Sequence, residues 1–165
     1  MSGQRFRDVH AEVVQFADTI HNREPARTVD DLMHAGHVLL ASRSYAEAAR
    51  CFTEAITEEP ARAEAHFALA LALLQGQRPH RHGEATLRRV EGHLHAASGL
   101  VESRVLELLV AEDSRLAWRH APPQIPSHVT ALARELPVDR AVLILTHVPA
   151  PEARTWRAIE QAQER

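Results

Sequence analysis

The stretch Val29-Asp-Asp-Leu-Met-His-Ala-Gly-His-Val-Leu-Leu-Ala41, Ser42-Arg-Ser44, Tyr45-Ala-Glu-Ala-Ala-Arg-Cys-Phe-Thr-Glu-Ala-Ile-Thr-Glu58, Glu59-Pro60 decides how this chain folds. Leu32, Ala35, Gly36, Leu39 and Leu40 recur at helical steps, and Thr28 stands before two acids where an N-cap belongs, because side-chain oxygens and negative charge satisfy the orphan N–H groups of a first turn. Ser44-Tyr-Ala-Glu47 matches the S-x-x-E capping box and starts a second helix over Tyr45–Glu58. That helix must stop before Pro60, which lacks an N–H and biases its predecessor away from helical geometry. Two helices joined by three residues fold back on each other as an αα-hairpin.

A second pattern follows at a fixed distance. Counting 34 residues on from Leu32, Ala35, Gly36, Leu39 and Leu40 reaches His66, Leu69, Ala70, Leu73 and Leu74, so the small and apolar classes largely recur. Gly36, Leu39, Tyr45, Ala48, Phe52, Ala55 and Pro60 at these spacings resemble a tetratricopeptide repeat, with Gly36 allowing close approach, Tyr45 and Phe52 as the large residues and Ala48 and Ala55 as the small ones. Leu32, Ala35 and Leu39 stand where the family commonly has Trp, Leu and Tyr. The second unit departs further. Its turn, Gln75 to Gly83, is longer, and its return helix over Glu84–Ala97 sets Ala85 opposite Ala48, Gly92 opposite Ala55 and Arg89 opposite Phe52. The resemblance covers residues 28–97 and implies an all-α fold of antiparallel hairpins stacked as a short right-handed superhelix.

Outward from this core, Phe6, Val9, Val13, Phe16 and Ile20 form one stripe on a predicted helix from Arg5 to Ile20. Val101–His120 reads as a long apolar helix, serving as a cap or as the first helix of a further repeat. Ala121-Pro-Pro-Gln-Ile-Pro126 is a linker, Ser127 caps a short helix to Leu136, and Glu152–Gln163 is a final amphipathic helix. Residues Ala141–Val148 (AVLILTHV) fit a buried strand or a buried helix by periodicity, and helix is preferred because no partner strand is present in the sequence. The expected organisation is an N-terminal helix (1–27), a repeat core (28–120) and a helical C-terminal extension (121–165).

Composition narrows the function classes. With 45% hydrophobic and only 4% aromatic residues, the core is built from Ala, Leu and Val, which suits close-packed helices. All 19 basic residues are Arg, which together with abundant Ala reads as the codon bias of a GC-rich, bacterial genome. The net charge of −3 removes the electrostatic footprint of a nucleic-acid binder. A lone Cys51 permits no internal disulfide, and neither a signal-peptide pattern nor a membrane-length apolar run is present, so the expected setting is the cytoplasm, with no membrane partner.

In proteins of the family resembled, the first helix of each hairpin lines a concave groove. Carried over residue by residue, the resemblance implies Asp30, Met33, His34, His37 and Ala41 in the first unit, and Glu64, Phe67, Ala68, Leu71 and Gln75 in the second. Asp30, His34 and His37 share a helix face on geometry alone. A groove with this acidic, histidine-bearing polar side and with Met33, Phe67 and Leu71 as apolar contacts suits a protein or peptide partner carrying basic or polar groups. The alternative is that some of these side chains pack against the terminal helices. The carboxylate clamp of chaperone-binding family members needs Lys and Asn, whereas this chain has no Lys and carries His37 at the first Asn position.

The function so implied is a non-catalytic binding scaffold or adaptor with no cofactor; the flanking helices cap the short stack, or two chains pair as a homodimer. The rival reading is a metal- or small-ligand-binding helical protein, or an enzyme, using histidines such as His34, His37, His80 and His82 among the 12 present. None has diagnostic metal-ligand spacing, and no catalytic fingerprint occurs. His66, on the packed side of its helix, reads as a hydrogen-bonded core histidine.

Overall fold

A computed structural model describes residues 27–117 and 129–164, with the side chains of residues 115–117 excluded. The described chain is all-helical: α1 (Val29–Ala41), α2 (Tyr45–Glu58), α3 (Ala63–Leu73), a 3₁₀ turn (Pro79–Arg81), α4 (Glu84–Ala96), α5 (Val101–Ala117), α6 (Val129–Glu135), α7 (Val138–His147) and α8 (Arg154–Gln163). The predicted Arg5–Ile20 helix, the proline linker and the Ser127 cap lie outside the described residues. No helix among those described is long and apolar enough to cross a membrane.

The first hairpin is fixed by local chemistry. Thr28 and Asp31 form a reciprocal capping box, the hydroxyl accepting from the Asp31 N–H at 3.1 Å while the Asp31 carboxylate accepts from the Thr28 N–H at 3.0 Å. α1 ends in a Schellman arrangement: the Ser44 N–H donates to Leu39 and the Arg43 N–H to Leu40, with Arg43 at φ 62° in the left-handed region where glycine is commonest. The box expected at Ser44 and Glu47 does not form. No side-chain cap bonds the first turn of α2, and the Ser44 hydroxyl instead accepts from Ser42 at 3.4 Å. Close approach of α1 and α2 is carried by Gly36 against Phe52, which has no solvent-exposed surface.

α3 and α4 form a second antiparallel pair across a longer turn that contains the 3₁₀ segment. Val90 and Leu94 are the fully buried residues of α4, whereas Arg89, Ala85 and Gly92 are exposed. The inward residue corresponding to Phe52 is therefore Val90, one position later than the repeat count predicts. The reason is electrostatic. Turning Arg89 inward would bury a guanidinium with no partner, and one residue of helix rotation exchanges it for an aliphatic side chain.

Residues Ala141–Val148 resolve as helix, lying largely within α7. Its buried residues, Ala141, Ile144 and His147, fall on one side, as a half-buried amphipathic helix requires. A single core runs from Leu32 and Phe52 through Phe67, Leu71 and Leu94 to Leu106, Leu109, Ile144 and Ile159, so the C-terminal helices share one interior with the hairpins. Two adjacent acids of α5 hold this junction. Glu112 accepts from the Arg154 and Thr155 N–H groups at 2.7 and 2.9 Å, capping α8 from a distance. Asp113, whose side chain is fully buried, accepts from Arg78 Nη2 at 2.7 Å, from the His80 N–H at 3.1 Å and pairs with His80 Nδ1 at 2.8 Å.

Candidate functional site

The residues expected along the groove separate into two sets. Asp30, His34, Glu64 and Gln75 are exposed, while Met33 is buried and Phe67 and Leu71 have no accessible surface at all. The apolar half of the predicted groove is therefore interior in this structure, because its side chains belong to the core that also contains Ile144 and Val148. His37 lies between the sets, half-buried with its ring edge-on to Phe52 at 5.3 Å between centroids.

α1 and α3 are tied at their N-terminal ends. Asp30 accepts from Arg62 Nη2 at 2.7 Å, and Arg62 also reaches Glu59 at 3.3 Å. These carboxylates hold the Arg62 guanidinium above its ordinary value, the Asp30 hydrogen bond contributing most. Asp30 remains 80% exposed, so it is a paired surface acid that still faces solvent.

α7 packs on α8 and α5 and reaches the first hairpin through side chains. Arg140 is near enough to His37 for its charge to act on that ring, and seven residues on His147 meets Tyr45 at the start of α2. The Tyr45 hydroxyl and His147 Nδ1 are 3.1 Å apart, with the rings perpendicular. His147 is almost wholly buried, and burial, reinforced by Arg43, pushes its imidazole below the ordinary value. Burial does the same to His37, with Arg140 and His34 adding repulsion. Both rings are thus held neutral in the neutral-pH fold, and a neutral His147 with its proton on Nε2 accepts the Tyr45 O–H.

Beside Tyr45 opens a surface cleft of about 450 Å³, lined by Arg43, Ser44, Tyr45, Ala46, Glu47 and Gln75. Its far wall is the α3–α4 turn, where Gln75 and Gly76 both take positive φ. A Cβ on Gly76 would lie 2.4 Å from the Tyr45 oxygen, so the close approach of this turn to Tyr45 requires glycine. Gln75, predicted as a groove residue, is placed on this cleft.

The remaining histidines have structural partners. His82 Nε2 lies 2.9 Å from the Leu74 carbonyl, and His80 is held by Asp113. His66 Nε2 donates to the Pro60 carbonyl at 2.9 Å, which leaves its Nδ1 as an acceptor facing His93 Nδ1 at 3.0 Å. The 3.0 Å between the two nitrogens, with ring centroids 5.3 Å apart, is the spacing of an N–H···N hydrogen bond. His37 is near enough to Arg140 and His34 for their charges to act on its ring. Among the described residues, no three His, Cys, Asp or Glu side chains converge as metal ligands.

Sequence reasoning missed His147, Tyr45's partner, and the Asp113 anchor. Both are contacts between residues far apart in the chain, and the one local signal was the adjacent pair of acids Glu112-Asp113 within α5.

Comparison of the chain with protein-family models, curated proteins and solved structures finds no match.

Proposed function

We propose that this protein is a non-catalytic protein- or peptide-binding module of tetratricopeptide-like design, working as a scaffold or adaptor in the cytoplasm. The observation that carries the reading is the paired hairpin, in which α1 and α3 are tied end to end by Asp30 and Arg62 and direct Asp30, His34 and Glu64 to solvent. An outward polar row on successive first helices is what a partner with basic or hydrogen-bonding groups would contact. The cleft beside Tyr45 fits the same reading, since it is open at the surface, where a partner side chain could enter it.

The test is capture from an extract of the native host with wild-type protein and with a His34→Ala/Glu64→Ala/Gln75→Ala variant. All three side chains are exposed, so the variant keeps the wild-type melting curve. Specific partners retained by the wild type and lost by the variant support the reading. Identical capture by both discards this surface.

A further inference from the structure

We infer that the cleft between the start of α6 and the outer face of α8 binds a phosphate monoester, held by the guanidinium groups of Arg154 and Arg157. The inference is independent of the binding surface proposed for α1 and α3.

The cleft, of about 290 Å³, is lined by Val129 and Thr130 of α6 and by Arg154, Arg157, Ala158 and Gln161 of α8. The four α8 residues stand at i, i+3, i+4 and i+7, which is one face of a helix, so the two arginines are rooted a single turn apart. Val129 is buried and Ala158 half-buried, giving an apolar floor, while Thr130, Arg154, Arg157 and Gln161 are exposed around it. Every polar side chain of the lining can donate hydrogen bonds, and no carboxylate is among them. The cleft beside Tyr45 includes Glu47, and the one bordered by α2, α3 and α4 includes Glu54.

The nearby acids are engaged elsewhere. Glu152 pairs with Arg78 at 2.7 Å, and the two Glu112 oxygens accept from the Arg154 and Thr155 N–H groups. Among the described residues neither Arg154 nor Arg157 forms an ion pair. Arg157 Nη2 donates to the Glu152 carbonyl at 3.3 Å, which draws this guanidinium toward the N-terminal end of α8, the end that carries Arg154. The backbone there is fixed by Glu112, so both cations stand on a rigid turn.

Two like charges a turn apart repel, and a dianion bound by both removes that cost. A phosphate monoester carries about −1.5 to −2 charges at neutral pH and three acceptor oxygens, enough for two planar guanidinium forks and for the Thr130 hydroxyl or the Gln161 amide. A carboxylate, with one charge, leaves one guanidinium unmet. The Val129 and Ala158 floor then meets the first carbons of the ester.

The experiment follows the arginine Nε–H and backbone resonances of the full-length chain by NMR during titration with inorganic phosphate, phenyl phosphate, a phosphoserine tripeptide and acetate, at low ionic strength where exposed charges are least screened. The phosphate probes should give saturable shifts centred on Arg154, Arg157 and Thr130. An Arg154→Gln/Arg157→Gln variant, changed at two exposed positions, should keep the wild-type melting curve and bind at least about tenfold more weakly. Tightest binding of phenyl phosphate upholds the site with a small apolar ester as its ligand, and tightest binding of the tripeptide upholds it with a phosphorylated partner residue. Acetate binding as tightly as phosphate, equal binding by the variant, or shifts spread alike over exposed arginines such as Arg50 and Arg89 would overturn the inference. If the variant does not fold, the map of shifts on the wild-type protein decides between these outcomes.

Discussion

Gly36 sits directly under the ring of Phe52, so close that a Cβ built on it would lie 2.5 Å from Cε1 and 2.8 Å from Cζ. Alanine is the better helix former by about 1 kcal/mol, but here the methyl meets a ring with no free volume around it. Gly36→Ala should therefore lower stability by about 1–3 kcal/mol despite the gain in propensity, the cost of overpacking a filled core. Urea denaturation followed by circular dichroism measures it, and an unchanged or raised midpoint would show that Phe52 has room to move. A Phe52→Leu background should relieve part of the penalty, because the clashing ring is gone.

Tyr45 and Gly76 make a second coupled pair. Gly76→Ala places a Cβ 2.4 Å from the Tyr45 oxygen at a φ of 67°, so both steric clash and backbone strain oppose it. A destabilisation of about 2 kcal/mol is expected, of which removal of the oxygen in Tyr45→Phe should recover only the clash. The double-mutant cycle reads the coupling, and additive single changes would contradict the contact.

Asp113→Asn should be among the most damaging conservative changes in the chain. Its carboxylate is fully buried; desolvation pulls its pKa upward, but hydrogen bonds from Arg78 and from the backbone and ring of His80 outweigh that and hold the group below its ordinary value. The amide keeps the shape but leaves Arg78 without its charge partner, for a loss of about 2–3 kcal/mol, at the lower edge of the range for broken buried pairs because Arg78 is partly solvated. Thermal melting checks it. A depressed carboxyl also means that the Asp113 contribution is present above the ordinary carboxylate range and is lost as pH falls through its lowered folded value.

Acid should weaken the fold well before carboxylates protonate. Burial lowers the pKa of His37, His93 and His147, whereas the same rings in the unfolded chain titrate near about 6.5. Between the folded and unfolded values the unfolded chain holds more protons, so stability rises with pH through that window and falls as pH drops from about 7 toward 5. Urea midpoints at pH 7.5, 6 and 5 should decline in that order. His147→Gln should flatten the decline, and a midpoint that rises on acidification would contradict the burial of these rings.

The legible parts of this architecture were those written in short spacing. The first hairpin follows from the Leu32–Leu40 periodicity, the three-residue turn and Pro60, because helix period and chain stiffness act within a few residues. The return helix of the second hairpin was one residue out of register, since aligning it across the longer turn at 75–83 takes no account of the cost of burying Arg89. The residues expected along a groove divide into polar and apolar in the sequence, yet their type does not say what covers them. Phe67 and Leu71 look the same in sequence whether they await a partner or share a core with α7. Asp113 and its partners Arg78 and His80 lie 35 and 33 residues apart, beyond any local pattern.

The cap that Glu112 provides for α8 sets a temporal order on the ribosome. The N–H groups it binds are 42 and 43 residues downstream, whereas the first hairpin closes on contacts available as soon as Glu58 has emerged. Synthesis therefore delivers the first hairpin well before the helix that Glu112 caps, so the C-terminal helices are added to a core begun upstream.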